Sequence, residues 1–245
     1  MIEKNQEDVP LIQYPKYLWF LTVAFSMTLA MSNWYDSRLI EVFGISVTPG
    51  SLVYSITFLL SNVITEVYGF KSARKAILTA LLFNVIFLVY GFVVMHLPTP
   101  GGAGYNESFN SFLLINSRII TGSFISYMIS EPVNSFVVAK LKLKTKGGYL
   151  GIRFIASVLI SGIIDSFLFI IIAFYGAVSN KGVLDLILHI WIVKTIVELS
   201  LLPLSIKLAK KLKVHEKLDI FDTNTDFTMF SLNSDYKESD NKYKK

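Results

Sequence analysis

The 245 residues are 53% hydrophobic and 17% charged, with a formal net charge of +5 and no cysteine. Apolar side chains gathered in long runs exclude an ordinary soluble core, and about six spans of roughly 20 residues each would use most of the chain, leaving no room for a separate enzymatic domain. The lack of cysteine removes disulfides and thiolate chemistry, the three His (His96, His189, His215) are too scattered for a zinc motif, and no cofactor is expected.

Residues 1–16 carry Glu3, Glu7 and Asp8 without a basic start or a small-residue cleavage site, so they read as a cytoplasmic N-terminal segment before a retained first span, not as a signal peptide. Apolar runs follow at 17–34, 45–65, 77–97, 112–139, 150–178 and 184–208, each long enough to cross hydrocarbon. The second run is a simple span unless Thr48-Pro49-Gly50 near its start shapes a short re-entrant or broken helix. Pro132 and Gly162 mark places where the fourth and fifth spans are open to interruption or a kink. Lys71, Arg74 and Lys75 follow the second run, Lys140, Lys142, Lys144 and Lys146 the fourth, and Lys207, Lys210, Lys211 and Lys213 the sixth, so every second connector is basic. The positive-inside rule puts these in the cytoplasm, and the basicity is a topology signal with no call for nucleic acid. The alternate connectors, among them the Gly/Pro/Asn-rich 98–110, are expected outside. Residues 214–245 are polar, with too little apolar surface for a core of their own, and read as a flexible cytoplasmic tail. The expectation is an all-α polytopic membrane protein with six transmembrane helices over 17–213, both termini in the cytoplasm and the lipid bilayer as its surroundings.

Ionisable and amide side chains at membrane depth are costly and face a bundle interior or a water-filled cavity, so they are the candidate site. Asn62 and Glu66 share a helix face; Glu66 either pairs with Arg74 at the surface or contacts substrate. Glu131 and Asn134 are i,i+3 neighbours beside Pro132, which leaves the Met128 carbonyl without its helical donor; they form a binding cluster or a polar kink paired to Lys194. Ser157, Ser161 and Asp165 recur every fourth residue, and Asp165 requires a proton or a partner. Lys194 and Glu198 are i,i+4 and suit an internal ion pair as well as a site. Arg118 and Arg153 near the starts of their spans are expected to snorkel to opposite surfaces, and Trp19, Trp34, Tyr35 and Trp191 to sit at interfaces or pack.

The stretch TPGSLVYSITFLLSNVITEVYGFKSARKAI from Thr48 resembles the small-residue turn, aromatic helix, acidic EVYG segment and following Ala-Arg of the queuosine precursor transporter family, also called the vitamin uptake transporter family. RIITGSFISYMISEPVNSFVVAKLK from Arg118, RFIASVLISGIIDSFLFIIIAFYG from Arg153 and WIVKTIVELSLLPLSIKL from Trp191 agree in order, and the resemblance covers about 32–211. Glu66, Gly69, Arg74, Arg118, Ser130, Arg153, Asp165, Ser166 and Lys194 match. The family usually has Asp at Asn62, Gln at Glu131, Asp at Asn134 and polar residues at Phe154, Ile155 and Gly162.

The resemblance implies a six-helix inner-membrane importer of a 7-deazaguanine, such as the 7-cyano form, its aminomethyl relative or queuine, for salvage into modified tRNA. Glu131 or Asp165 would accept from the base, and Asn134, Asn62 or Lys194 would donate, with Glu66 and Glu198 completing the candidate set. Asp165, Glu198 or Glu131 would be the proton carrier if transport is proton-coupled. The alternative is a substrate-binding membrane subunit of a vitamin or nucleobase uptake system energised by a partner; with no GxxxxGK[ST] present, any ATP hydrolysis would come from another chain. An intramembrane enzyme is disfavoured, because there is no HExxH and Gly122-Ser123 lacks a GxSxG context. A homo-oligomer is left open.

Overall fold

A computed structural model describes residues 10–11, 15–42, 44–100, 104–174, 176–177, 179–223, 225–231, 233 and 235–243. In chain order the elements are α1 (Leu18–Tyr35), β1 (Ile40–Val42), β2 (Ile45–Val47), α2 (Pro49–Tyr68), α3 (Phe70–Met95), α4 (Tyr105–Lys144), α5 (Leu150–Phe174) and α6 (Asn180–Glu216), with a 3-10 turn at Glu238–Asp240. Among the described residues five helices, α2 to α6, are long and apolar enough to cross a membrane, and the chain is an all-α integral membrane protein. The 18-residue α1 is long enough to span and ends in Ser32, Asn33, Trp34 and Tyr35.

Successive helices alternate in direction. The backbone N–H groups of Lys16 and Tyr17, at the start of α1, donate to the Glu216 carboxylate at the end of α6 (3.0 and 2.8 Å), so the first and last helices meet at one end. That end also carries the basic connectors and is called the basic end below. The centre of the bundle is α2, buried on every side from Thr57 to Tyr68. By contrast, α3 shows Leu82, Phe83, Ile86, Val89 and Tyr90 on its outer surface. An apolar outer surface is what lipid chains require, so burial here sorts polar groups inward more than apolar ones.

Three boundaries differ from the sequence expectation. Ile45–Val47 is the second strand of a short antiparallel hairpin with Ile40–Val42, and its apolar residues run on into the helix that follows. Pro49 then sits in the first turn of α2, where its missing N–H costs nothing; Thr48-Pro49-Gly50 is a helix start, not a re-entrant segment. A Cβ on Gly50 would lie 2.1 Å from the Ser32 carbonyl oxygen, so glycine lets α1 and α2 approach. α3 begins at Phe70, directly after Gly69 (φ 81). Neither Pro132 nor Gly162 interrupts its helix.

The expected flexible tail is the main correction. α6 runs to Glu216 and ends with Lys217 in the left-handed region (φ 52), after which the chain turns back across the basic end. Leu218, Ile220, Asp222, Tyr236 and Asp240 are buried. The Phe70 N–H donates to Asp222, which also accepts from the Tyr236 hydroxyl at 2.6 Å, and Phe227 packs against Phe70 and Phe136. The segment needs no core of its own because the bundle lends it one.

Gly69 makes this docking possible. A Cβ there would stand 2.3 Å from the Tyr236 hydroxyl oxygen, at a backbone φ of +81 that suits glycine alone. Gly69→Ala will therefore loosen the tail, which limited proteolysis reads as faster cleavage between residues 218 and 236 than in the wild type; equal rates would mean that the tail docks without this contact.

Candidate functional site

Four helices bring a polar cluster together inside the bundle. α2 supplies Tyr54, Ser61 and Asn62; α4 supplies Ser130, Glu131, Asn134 and Ser135; α5 supplies Ser157, Ser161 and Asp165; α6 supplies Lys194 and Glu198. All are buried. Their three- and four-residue spacings put each set on one helical face, and helix packing turns those faces toward one another.

Asp165 is the most completely bonded member. Its Oδ2 receives Lys194 Nζ at 2.7 Å, and its Oδ1 receives the Tyr54 hydroxyl at 3.1 Å and Ser130 Oγ at 3.2 Å. The Lys194 ammonium also lies 4.2 Å from the centre of the Tyr54 ring, where the ring's negative face favours a cation. The expected Lys194–Glu198 and Lys194–Glu131 pairs are not formed, because Asp165 takes the ammonium. Deeper in the bundle Asn134 Nδ2 donates to Asn62 Oδ1 at 2.9 Å, Ser157 Oγ approaches the same oxygen at 3.2 Å, and Ser61 meets Ser135 at 3.0 Å.

Two carboxylates in this centre have no hydrogen-bond partner at either oxygen, Glu131 and Glu198. Glu198 and Asn62 line one narrow cleft with Leu59, Phe154, Ile155 and Ser205. The cleft has room for about one water. The polar groups therefore close on one another in this conformation, and a ligand the size of a base must part them. Trp191 packs beside Gly162, and the indole N–H is unpartnered.

Glu66 lies one turn nearer the basic end than Asn62 and belongs to a separate ion cluster. Arg153 grips its carboxylate with both terminal guanidinium nitrogens, Lys213 contacts the same group, and Lys142 lies 3.9 Å away. Lys142 and Lys213 each reach Asp219 of the docked tail at 2.7 Å. Arg153 is thus buried and paired, not snorkelling. Arg74 does not pair with Glu66; its guanidinium donates to tail carbonyls instead. Arg118 donates from Nε to the Ile172 carbonyl at 3.0 Å.

At the opposite end Asp36 is buried and accepts from the Thr48 hydroxyl at 2.5 Å. Burial pushes its carboxyl up to about 6 even though that hydrogen bond favours the charged form. The folded protein takes up this proton before the unfolded chain does, so stability gains as pH falls through about 6 toward the ordinary carboxylate range. In detergent the wild type will melt higher at pH 5 than at pH 7, and Asp36→Asn will flatten that slope; an identical slope in the variant would assign it to other groups.

Sequence reasoning missed Tyr54 and Ser61 as members of the centre. Both lie on the face of α2 that carries Asn62, seven residues apart, and reading the helix from Pro49 would have placed them together.

Residues 48–208 match the model of a family described as "Putative vitamin uptake transporter". A Bacillus subtilis (strain 168) protein named "Probable queuosine precursor transporter" is 25% identical over 185 residues, 75% of this chain and 80% of that one. An Escherichia coli (strain K12) protein named "Queuosine precursor transporter" is 22% identical over 160 residues, 65% and 70% of the two chains. No solved structure matches. The matched region takes in every member of the central cluster and leaves out α1, the β-hairpin and the docked tail.

Proposed function

Because the chain belongs to the vitamin uptake transporter family, we propose that it imports a queuosine precursor, a 7-deazaguanine such as the 7-cyano form, its aminomethyl form or queuine, across a bacterial inner membrane for tRNA modification. It is a transporter and not an enzyme, so its chemistry is recognition and release. The observation that carries the reading is the Asn62–Asn134 amide pair, flanked by Ser157, Ser161 and the Asp165–Lys194 pair, all buried between four helices. A guanine-like edge offers an exocyclic amine and a ring N–H as donors and a carbonyl as acceptor. A carboxylate takes the two donors, and an amide or ammonium supplies the carbonyl. Such a ligand replaces contacts that the side chains now make with one another, so the groups that part to admit it keep partners.

The basic end faces the cytoplasm in this reading, in line with the positive-inside rule, which leaves Asp36 and the β-hairpin on the outside. Binding near mid-membrane with alternate opening to the two sides moves the base without altering it. The test is queuosine formation in the tRNA of cells that lack precursor synthesis and their own transporter, each 7-deazaguanine being supplied at low concentration. Restoration by this gene is expected; no restoration by any of them, with the protein present in the membrane, would overturn the reading.

A further inference from the structure

The bundle centre holds more carboxylates than cations. Asp165, Glu131 and Glu198 act on one another and on Lys194 through space, and among the described residues Lys194 is the ammonium that sits with them. That ammonium is already committed to Asp165 at 2.7 Å. The cations nearer the basic end, Arg153, Lys142 and Lys213, are committed to Glu66 and Asp219. Glu131 is fully buried with both oxygens unpartnered, and Glu198 is 7% exposed with both oxygens unpartnered. The hydroxyls of Thr57 and Ser61 lie beside Glu131; Thr57 donates to the Tyr54 carbonyl, and Ser61 shares one hydrogen bond with Ser135. A carboxylate held out of water without a partner is unfavourable unless it takes a proton or meets a cation.

We propose that the substrate brings that cation: the site selects a 7-deazaguanine bearing a protonated amine, the aminomethyl form or queuine, over the neutral cyano form, with Glu131 and Glu198 as the residues that set this preference. The inference rests on the 7-deazaguanine reading above. Its geometry follows from the helices. Glu131 precedes Asn134 by three residues, so the carboxylate stands on the same face about 4.5 Å along the axis from the amide, and Glu198 lines the cleft that contains Asn62. A base whose pyrimidine edge meets Asp165 and the amides leaves Glu131 and Glu198 for the substituent on its five-membered ring, and a charge-assisted bond forms where the neutral nitrile has no proton to give.

The test is initial uptake of labelled aminomethyl and cyano forms at pH 7 by cells producing the full chain and lacking their own transporter. The wild type should favour the aminomethyl form by roughly tenfold or more, the worth of one charged hydrogen bond. Glu131→Gln and Glu198→Gln keep the shape and remove the charge, and in at least one of them that ratio should fall toward unity. Equal uptake by the wild type, a preference for the cyano form, or an unchanged ratio in both Gln variants would overturn the inference and leave the 7-deazaguanine reading standing. Uptake of neither base by wild-type protein present in the membrane would overturn both. Where a variant fails to reach the membrane, the wild-type ratio alone decides.

Discussion

Replacing Glu66 with alanine will destabilise the bundle more than any other single change to its buried polar groups. The carboxylate is fully buried and answers Arg153, itself fully buried, together with Lys213 and Lys142. Removing it strands those cations in a space that cannot solvate them, and the loss is on the order of 3–5 kcal/mol, as for other broken buried pairs. Purified Glu66→Ala protein in detergent should melt well below the wild type. Adding Arg153→Met should recover part of the loss, since the stranded charge then goes too. A melting temperature that does not move would mean that Asp219 and the tail carbonyls hold the cations unaided.

The largest effect on uptake is expected from Asp165→Asn. The carboxylate binds the Lys194 ammonium and receives Tyr54 and Ser130. The amide keeps the size but loses the charge, leaving Lys194 buried beside a neutral group and altering the donor pattern at the centre of the proposed site. Queuosine-precursor uptake should fall roughly 100-fold, the consequence of truncating one partner of a buried charge pair. The protein should still insert, because one polar atom exchanged inside the bundle does not change its apolar exterior. Normal uptake at normal membrane levels would remove Asp165 from the site. A loss of protein from the membrane would make its role structural.

Local pattern revealed some of this and not the rest, for physical reasons. The stripe Ser157, Ser161, Asp165 was legible because an α-helix converts a four-residue spacing into a shared face, and the carboxylate at its end needed a partner. The identity of that partner was not legible: Lys194 lies 29 residues away in sequence, nearer choices existed on its own helix, and only the packing of α5 against α6 decides among them. Glu66 shows the same limit more strongly, since Arg153 lies 87 residues away. The β-hairpin was hidden because Ile45 and Val47 are as apolar as the helix that follows, and three-residue strands are too short to show an alternation. The docking of the tail is not legible because composition reports whether a segment can fold alone, whereas Leu218, Ile220, Tyr236 and Phe227 use apolar surface that the helices already supply.

Arg74 holds the tail by its main chain. Its guanidinium donates to the carbonyls of Asp226, Thr228 and Asn233, and a carbonyl is common to every amino acid. What Arg74 recognises is therefore a path of the main chain and not a set of side chains. Many different letters at positions 228 and 233 would serve it equally, whereas a proline that rerouted the backbone would not. A family match that ends at residue 208 is thus no argument against an equivalent tail in a relative, for two such tails could share a trajectory without sharing a sequence.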